Sequence, residues 1–395
     1  MDYSDRFFIK LLPVLLIAIF VSFTTIEAHA EPEKRVTKRE DGSNIYWSIE
    51  HPNTDKRRGV LLIAQGSGCG PTTQNPTIAS AKSIVSDYSV LLVEKYGVSH
   101  DDRPEDPMTD CSKDFFSHHT VGQRVADVSR VIKELKGSSW WSGELVLFGG
   151  SEGGAVVSRL TPLLRPIATV VFSSGPGASL AESLLSVIPP PAKKQANEVF
   201  KQARENPEST KMWGGNSYRW WADVVDDVQV KHLLKTNVPV LVVQGERDQF
   251  SPVESARAAR RYYDDAGRCE LTYWEFPDYD HFMTDSDGHN HRDEVFQKIS
   301  KWIESTQSGS EQKCPIQFNG GTSRPPDSIC HTCSRALSWR EDLRAARMSS
   351  GCSLSSPSAL PAISPSTSTP LLGHRTGLRH RKAQYGPVHR TLLDS

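Results

Sequence analysis

The sequence predicts an α/β protein built on a doubly wound, mostly parallel sheet. Short apolar runs alternate along the chain with segments of helical period, a pattern typical of a parallel sheet covered by helices on both faces. The clearest runs are continuously apolar, as expected for strands that are buried on both sides. A chain of 395 residues with 37% hydrophobic residues also has enough apolar material for a sizeable core.

Six short strands and three helices make up the predicted elements. The predicted strands are residues 60–64, 89–93, 145–148, 169–172, 240–243 and 271–276. The clearest predicted helices are residues 121–135, 254–263 and 292–304. In the first of these helices, Val125, Val128 and Ile132 recur at helical spacing and mark the face that should pack on the sheet.

Two regions interrupt this alternation. Residues 175–237 form a long insertion between two strands and are predicted to be a helical cap. Residues 307–395 lose apolar periodicity, are rich in Ser, Pro and Gly, and are predicted to be disordered. The tail carries 11 Lys+Arg against 5 Asp+Glu, whereas residues 31–306 carry 33 against 39. The globular domain is therefore predicted to span residues 31–306.

The first 30 residues have the pattern of a secretory signal peptide. Arg6 and Lys10 precede an apolar stretch over residues 11–23, and Ala-His-Ala at 28–30 supplies a small-x-small cleavage site. The apolar stretch is shorter than the roughly 20 residues that span a bilayer. We therefore expect a secreted or periplasmic protein with no stable membrane insertion after cleavage; the alternative is an uncleaved N-terminal anchor.

Net charge and cysteine content indicate which binding partners and which cellular compartment to expect. The net charge of −1 lacks the basic character of nucleic-acid-binding proteins, so no nucleic-acid partner is expected. Export would permit disulfides among the seven cysteines. Cys69 and Cys111 lie in predicted loops after neighbouring strands and are the candidate pair; the alternative is two unpaired thiols.

A candidate nucleophile follows the third predicted strand. The residues Gly-Gly-Ser-Glu-Gly at 149–153 connect the strand at 145–148 to a segment that can continue as a helix. This strand–turn–helix context gives a G-x-S-x-G pattern its meaning, because the tight turn projects the serine hydroxyl from the carboxyl end of the sheet. Ser151 is therefore the candidate nucleophile; the alternative is a structural turn with an idle serine.

A serine hydroxyl needs a general base, and the base needs an orienting acid. Asp248 follows the strand at 240–243, and His281 follows the strand at 271–276. Both positions lie at the carboxyl ends of parallel strands, the same sheet edge as Ser151. Glu246 is a rival acid two residues earlier, and Asp248 is preferred.

With these motifs in order, the chain resembles the α/β-hydrolase superfamily over roughly residues 45–304. GGSEGG resembles its nucleophile elbow, GERDQFSP its acid-bearing turn and DHF its catalytic-histidine loop. The resemblance implies Ser151 as nucleophile, His281 as general base and then acid, and Asp248 as the acid that holds the imidazole. It implies no metal and no organic cofactor.

An oxyanion hole requires two N–H donors aimed at one point. The backbone N–H of Glu152, just after the nucleophile, is the first candidate. The second should come from the glycine-rich loop at 65–70, where Ser67 is the candidate donor. In the family this loop often begins His-Gly, so Gln65 is a departure from the pattern.

The remaining candidate residues are predicted with open alternatives. Trp213, Trp220 and Trp221 in the insertion could line a substrate pocket or merely pack the cap. The run of acidic and histidine residues at 285–293 has metal-ligand side chains at every second position, but a solvated polar loop is the preferred interpretation.

These observations together predict a serine hydrolase that cleaves a carboxylic ester or thioester, with a small-molecule ester or acyl compound as substrate. The prediction of an ester substrate rests on analogy with other proteins of this fold. One alternative is a serine peptidase or amidase similar to the prolyl-oligopeptidase branch. The other is a non-catalytic binding module on the same fold.

Overall fold

The computed structural model describes residues 31–54 and 56–308. The predicted signal peptide at 1–30 and nearly all of the predicted tail lie outside the described residues. Within the described part of the chain, no helix combines the length and the hydrophobicity needed to cross a membrane.

An eight-stranded sheet forms the centre of the protein, with the strand order β1-β2-β4-β3-β5-β6-β9-β10. The pairings β1–β2 and β2–β4 are antiparallel, and the remaining five are parallel. β7 and β8 form a separate two-stranded hairpin. The strands are β1 (Glu33–Lys38), β2 (Asn44–Glu50), β3 (Arg58–Ala64), β4 (Ser89–Val93), β5 (Trp141–Gly150), β6 (Ala168–Phe172), β7 (Met212–Trp213), β8 (Asn216–Ser217), β9 (Val240–Gly245) and β10 (Leu271–Phe276).

Ten α-helices connect or cover these strands. They are α1 (Pro76–Ala81), α2 (Lys113–His118), α3 (Val121–Leu135), α4 (Glu152–Leu164), α5 (Leu180–Val187), α6 (Pro190–Glu205), α7 (Tyr218–Val224), α8 (Val230–Leu233), α9 (Val253–Asp265) and α10 (Arg292–Gln307). Short 3₁₀ turns occur at Thr72–Gln74 and Lys82–Val85. The α-helices are counted within the described residues only.

The two faces of the sheet bury separate hydrophobic clusters. Successive side chains of a strand point to opposite faces. Leu62 accordingly belongs to the cluster that includes residues of α3, α4 and the insertion, whereas Leu61 belongs to the cluster that includes residues of α1 and α10. β3, β4 and β6 are buried along their apolar runs, which explains their lack of polar alternation. The predicted doubly wound, mostly parallel sheet is therefore confirmed.

The first two strands were not predicted. β1 forms the sheet edge, and its sequence EKRVTK has no apolar run because most of its side chains face solvent. β2 does carry a signal, since Ile45, Trp47 and Ile49 alternate with other residues and are almost completely buried. A search for period-two alternation would have found β2, whereas β1 depends on its pairing with β2.

The insertion between β6 and β9 is mainly helical, as the sequence predicts, and contains α5 to α8 with the β7–β8 hairpin. Its aromatic side chains pack mainly on each other. The Trp221 ring lies 5.5 Å from the Phe200 ring, 5.1 Å from Trp213 and 5.0 Å from Trp220 between centroids. Trp220 and Trp221 are buried in this cluster.

Candidate active site

Ser151 occupies a strained turn between β5 and α4. Its φ of 52° and ψ of −123° place a non-glycine residue in a sparsely populated backbone region. The Ser151 N–H donates to the carbonyl of Phe172 on the neighbouring strand at 2.9 Å, which holds the turn against the sheet. The turn thus places Ser151 just before the N-terminus of α4.

Close packing explains the glycines around this turn. A Cβ on Gly149 would lie 2.2 Å from the Gly153 carbonyl oxygen, and a Cβ on Gly153 would lie 1.9 Å from the Ala64 carbonyl oxygen. Real Cβ atoms do not approach backbone oxygens so closely, so any larger residue would force the strand and helix apart. Glycine is therefore required where α4 crosses the ends of β3 and β5.

Asp248 lies in the loop after β9, with its side chain completely buried. Oδ1 accepts hydrogen bonds from the backbone N–H groups of Phe250 and Ser251, both at 2.8 Å. Oδ2 accepts from the Gln244 side-chain amide at 2.7 Å and pairs with His281 Nδ1 at 2.8 Å. Each carboxylate oxygen therefore faces two partners, which suits an ionised acid that accepts only.

His281 lies in the loop after β10, and its side chain is largely buried, with two aromatic rings packed beside it. The Phe250 and Phe282 rings are each 5.1 Å from the His281 ring between centroids. Within the described residues, no hydrogen bond joins the Ser151 hydroxyl to the His281 ring. Such bonds are often long in unliganded sites and tighten when a substrate binds.

The rival acid and the rival histidines have other partners. Glu246 is half-exposed and pairs with Arg257 at 3.2 Å. His291 Nε2 pairs with Asp285 at 2.8 Å, and His289 is largely exposed. None of these residues contacts His281 or Asp248 through a hydrogen bond in the described structure.

The loop at 65–70 passes beside Ser151. A Cβ added to Gly66 would lie 3.2 Å from Ser151 Cβ and 3.8 Å from its hydroxyl oxygen. The Ser67 hydroxyl donates to Glu152 Oε2 at 3.3 Å, so both predicted oxyanion residues belong to one hydrogen-bonded arrangement. A disulfide between Cys69 and Cys111 ties the far end of the loop to the segment before α2.

The Glu152 side chain is buried among cationic and basic groups that the sequence analysis did not single out. Arg124 Nη1 donates to Glu152 Oε1 at 2.8 Å, and His119 Nε2 lies 3.1 Å from the same oxygen. Burial by itself would raise the pKa of Glu152, but the nearby His119, Lys95 and Arg124 hold it well below its ordinary value. Burial also lowers the pKa of His119.

A positional signal for this cluster was present in the sequence. Glu94 and Lys95 follow the apolar run of β4 directly, at the same sheet edge as the other candidate residues. Both side chains are buried, and Glu94 accepts hydrogen bonds from the N–H and hydroxyl of Thr72. Charged residues placed immediately after a buried parallel strand can therefore mark a site edge.

Comparison with known proteins identifies the architecture. No protein-family model and no curated protein matches this sequence. Among solved structures, a candidate dipeptidyl aminopeptidase IV from Bacteroides ovatus matches with a TM-score of 0.50 and 14% identity, over 70% of this chain and 36% of that one. The chain has the α/β-hydrolase fold. The prediction of this fold is confirmed.

Two further solved structures are similar to this chain. Est1E from Butyrivibrio proteoclasticus has 15% identity and a TM-score of 0.48, covering 70% of this chain and 99% of its own. A monoacylglycerol lipase from Paleococcus ferrophilus has 16% identity and a TM-score of 0.47, covering 70% of this chain and 100% of its own.

The remaining candidates of the sequence analysis are the tryptophans of the insertion and the acidic and histidine residues at 285–293. Trp220 and Trp221 are buried in the cap cluster, which favours the packing interpretation for them, and Trp213 is partly buried beside them. Within residues 31–54 and 56–308, no group of three His, Cys, Asp or Glu side chains is arranged to hold a metal ion.

Lys95 is expected to make the stability of this domain depend on pH. Burial, with a further contribution from Arg124, lowers the pKa of Lys95 to about 7 despite the opposing charges of Glu152 and Glu94. An unfolded lysine titrates near 10.4, so between these two values the unfolded chain binds a proton that the folded chain does not. The Lys95 contribution to the free energy of unfolding should therefore rise as the pH increases from about 7 to about 10.

Thermal unfolding of wild type and Lys95→Met tests this expectation. The Tm of wild type relative to Lys95→Met should increase between about pH 6.5 and about pH 9.5. The exposed Lys133→Met on α3 is the matched control and should follow wild type throughout. A wild-type minus Lys95→Met difference that stays constant with pH would contradict the lowered pKa.

Proposed function

We propose that the protein is a serine hydrolase that cleaves a carboxylic ester or thioester through an acyl-enzyme on Ser151. The observation that carries the proposal is the buried Asp248–His281 pair at the sheet edge where the strained turn presents Ser151. A histidine with a purely structural role would not need a partner such as Asp248, whose two carboxylate oxygens are each held by hydrogen bonds from other groups. The arrangement matches a base whose tautomer and orientation are held in place.

In the proposed first half-reaction, His281 Nε2 removes the proton from the Ser151 hydroxyl as its oxygen attacks the substrate carbonyl carbon. The carbonyl π electrons move to oxygen and form an oxyanion, which the backbone N–H groups beside Ser151 stabilise. As the carbonyl re-forms, the bond to the leaving alcohol or thiol breaks. The His281 imidazolium gives its proton to that leaving group, and the acyl group remains on Ser151.

In the second half-reaction, water replaces the leaving group. His281 removes a proton from water as the water oxygen attacks the acyl carbon and the carbonyl π electrons move to oxygen. As the carbonyl re-forms, the bond between the acyl carbon and Ser151 Oγ breaks, the His281 imidazolium gives its proton to Oγ, and the carboxylic acid leaves. Asp248 keeps the Nδ1 proton facing itself throughout, so that Nε2 is the basic nitrogen in both steps.

Two exposed aromatic side chains point to the leaving-group side of the substrate. Phe250 is 43% exposed and Phe282 is 53% exposed, and their rings lie 6.2 Å apart next to the His281 ring. A general acid must lie within hydrogen-bond reach of the leaving-group atom it protonates. The side chains that pack beside His281 are therefore proposed to contact the alcohol part of the substrate, which favours an apolar alcohol.

Replacing Phe250 or Phe282 with Ala should selectively weaken turnover of esters with bulky apolar alcohols. Loss of one aromatic contact is worth about 1 kcal/mol, so kcat/KM for phenyl or octyl acetate should fall roughly fivefold to tenfold. Turnover of methyl acetate should change less than about twofold, because it presents no group for the rings. Leu163→Ala, an exposed apolar site on α4, is the control and should change neither value. An equal loss for methyl and octyl esters would contradict this placement of the alcohol.

A fluorophosphonate probe tests the reaction class, because it labels an activated serine. The full chain should be labelled, and Ser151→Ala should not. The p-nitrophenyl ester and the p-nitroanilide of the same acyl group then separate an esterase from the alternative amidase or peptidase. Faster turnover of the anilide would replace the ester proposal, and a folded protein that neither labels nor turns over either compound would favour a binding module.

We also propose that the protein is exported by the signal peptide predicted at residues 1–30. The Cys69–Cys111 disulfide supports this, because disulfides persist mainly in oxidising compartments. N-terminal sequencing of the exported protein is the test. A chain that begins near Glu31 supports cleavage, and an intact N-terminus supports the membrane-anchor alternative.

A further inference from the structure

Two buried cations hold the carbonyl groups of the loop at 65–70. Lys95 Nζ donates to the Gly66 carbonyl at 2.5 Å and also to the Gly68 carbonyl. Arg124 Nη2 donates to the Gln65 carbonyl at 2.7 Å. Lys95 is 2% exposed and Arg124 is 5% exposed, so both cations approach the loop from the protein interior.

These contacts determine where the N–H groups of the loop point. In a planar trans peptide group, the carbonyl and the N–H of the following residue point in opposite directions. Because the Gln65 and Gly66 carbonyls face the buried cations, the N–H groups of Gly66 and Ser67 face away from the interior. Within the described residues, neither N–H donates a hydrogen bond, so both are free for a ligand beside Ser151.

Arg124 also connects the two halves of the proposed oxyanion hole. One guanidinium nitrogen donates to the Gln65 carbonyl in the loop, and another donates to the Glu152 carboxylate at the start of α4. Glu152 in turn accepts a hydrogen bond from the Ser67 hydroxyl. The rigid Arg124 guanidinium thus holds the loop at 65–70 in place relative to the backbone N–H of Glu152. This N–H is the first in α4 and has no acceptor within the helix.

We infer that Lys95 and Arg124 are positioning residues of the oxyanion hole, which set the direction and spacing of the N–H groups of Gly66, Ser67 and Glu152. This inference rests on the proposed acyl transfer at Ser151. It assigns to two side chains outside the Ser151–Asp248–His281 set a part in stabilising the transition state without touching the substrate.

The electrostatic cost of this arrangement supports a role beyond stability. Burying charged groups is expensive, and apolar side chains of similar volume often stabilise a fold equally well or better. Here the charges of Lys95 and Arg124 are balanced by Glu152 and Glu94, with His119 and His100 alongside. Neutral Lys95 would still have one hydrogen for each of its two loop carbonyls, so the proposed positioning does not depend on its protonation state.

The test compares Lys95→Met and Arg124→Lys with wild type in the full chain. Three quantities are measured: kcat and KM for p-nitrophenyl acetate, the Ki of a trifluoromethyl ketone, and the Tm. The ketone carbon is attacked by Ser151, and its oxygen becomes an oxyanion that uses the same N–H donors. Lys133→Met serves as the exposed lysine control.

Misplacing an oxyanion donor should cost about 10²-fold in kcat. We expect both variants to lose kcat by about this factor with KM within about threefold, and the ketone Ki to rise by the same factor as kcat/KM falls. A merely structural role would lower the Tm while leaving kcat and Ki of the folded protein near wild type, and this result would overturn the inference.

Two further comparisons separate a failure of the positioning role from a variant that does not fold and from a failure of the proposed function. Arg124→Lys retains the buried charge but cannot bridge the loop and Glu152, so it decides the question if Lys95→Met does not fold. If wild type shows no turnover that depends on Ser151, the proposed function fails. If wild type is active through Ser151 and the folded variants match it, only the positioning role fails.

Discussion

Ser151→Ala should abolish turnover while leaving the fold intact. Removal of the nucleophile from a serine triad lowers kcat by about 10⁶-fold, because the remaining residues cannot form the acyl intermediate. The Ser151 side chain makes no hydrogen bond within the described structure, and Ala fits the same close-packed turn. The Tm should therefore change by only a few degrees, measured by circular dichroism beside ester hydrolysis and fluorophosphonate labelling.

Ser173 is the matched control for this experiment. It follows β6, the strand adjacent to β5, and it shares the unusual backbone of Ser151, with a φ of 49°. Its hydroxyl is buried, so a substrate cannot reach it. Ser173→Ala should label and turn over esters like wild type. Loss of labelling in Ser173→Ala alone would move the nucleophile to that position.

Asp248→Asn is expected to lower kcat by about 10⁴-fold. Oδ1 accepts from two backbone N–H groups and Oδ2 from the Gln244 amide, so an amide NH₂ at either position would meet a donor. An NH₂ group facing His281 would also favour the tautomer with its proton on Nε2, which cannot accept the Ser151 proton. The measurement is kcat for a p-nitrophenyl ester, with Tm recorded to confirm folding.

Glu246→Gln provides the comparison that distinguishes the two candidate acids. Glu246 is 44% exposed and pairs with Arg257, and it makes no hydrogen bond to His281 within the described residues. Its substitution should leave kcat within about twofold, because exposed ion pairs contribute little. Near-normal activity in Asp248→Asn together with a large loss in Glu246→Gln would transfer the orienting role to Glu246.

The sequence determined the class of fold and the positions of the candidate triad. Continuous apolar runs predicted β3, β4, β5, β6 and β9, because burial on both faces of a parallel sheet leaves no polar alternation. Helical spacing predicted α3 with its observed limits. The polar residues directly after these strands had to meet at one sheet edge, and the structure joins Asp248 to His281 there.

Other features of the structure could not be predicted from sequence patterns and are seen only in the folded chain. The edge strand β1 has no apolar run of its own and is recognisable only through its pairing with β2. The three tryptophans of the insertion could have lined a pocket or filled a core, since composition does not set the direction of a side chain. In the structure, Trp220 and Trp221 are buried in a cluster that the insertion shares with one face of the sheet.

The surroundings of Glu152 were decided by tertiary structure alone. Arg124 lies 28 residues before Glu152 and 59 residues after Gln65, yet it contacts both. Periodicity reports the burial of a local segment, whereas the pairing of buried charges depends on which elements meet after the sheet is assembled. The sequence could therefore identify candidate reacting groups at the strand ends, but only the assembled fold shows that the buried Lys95 and Arg124 side chains hold the loop beside them.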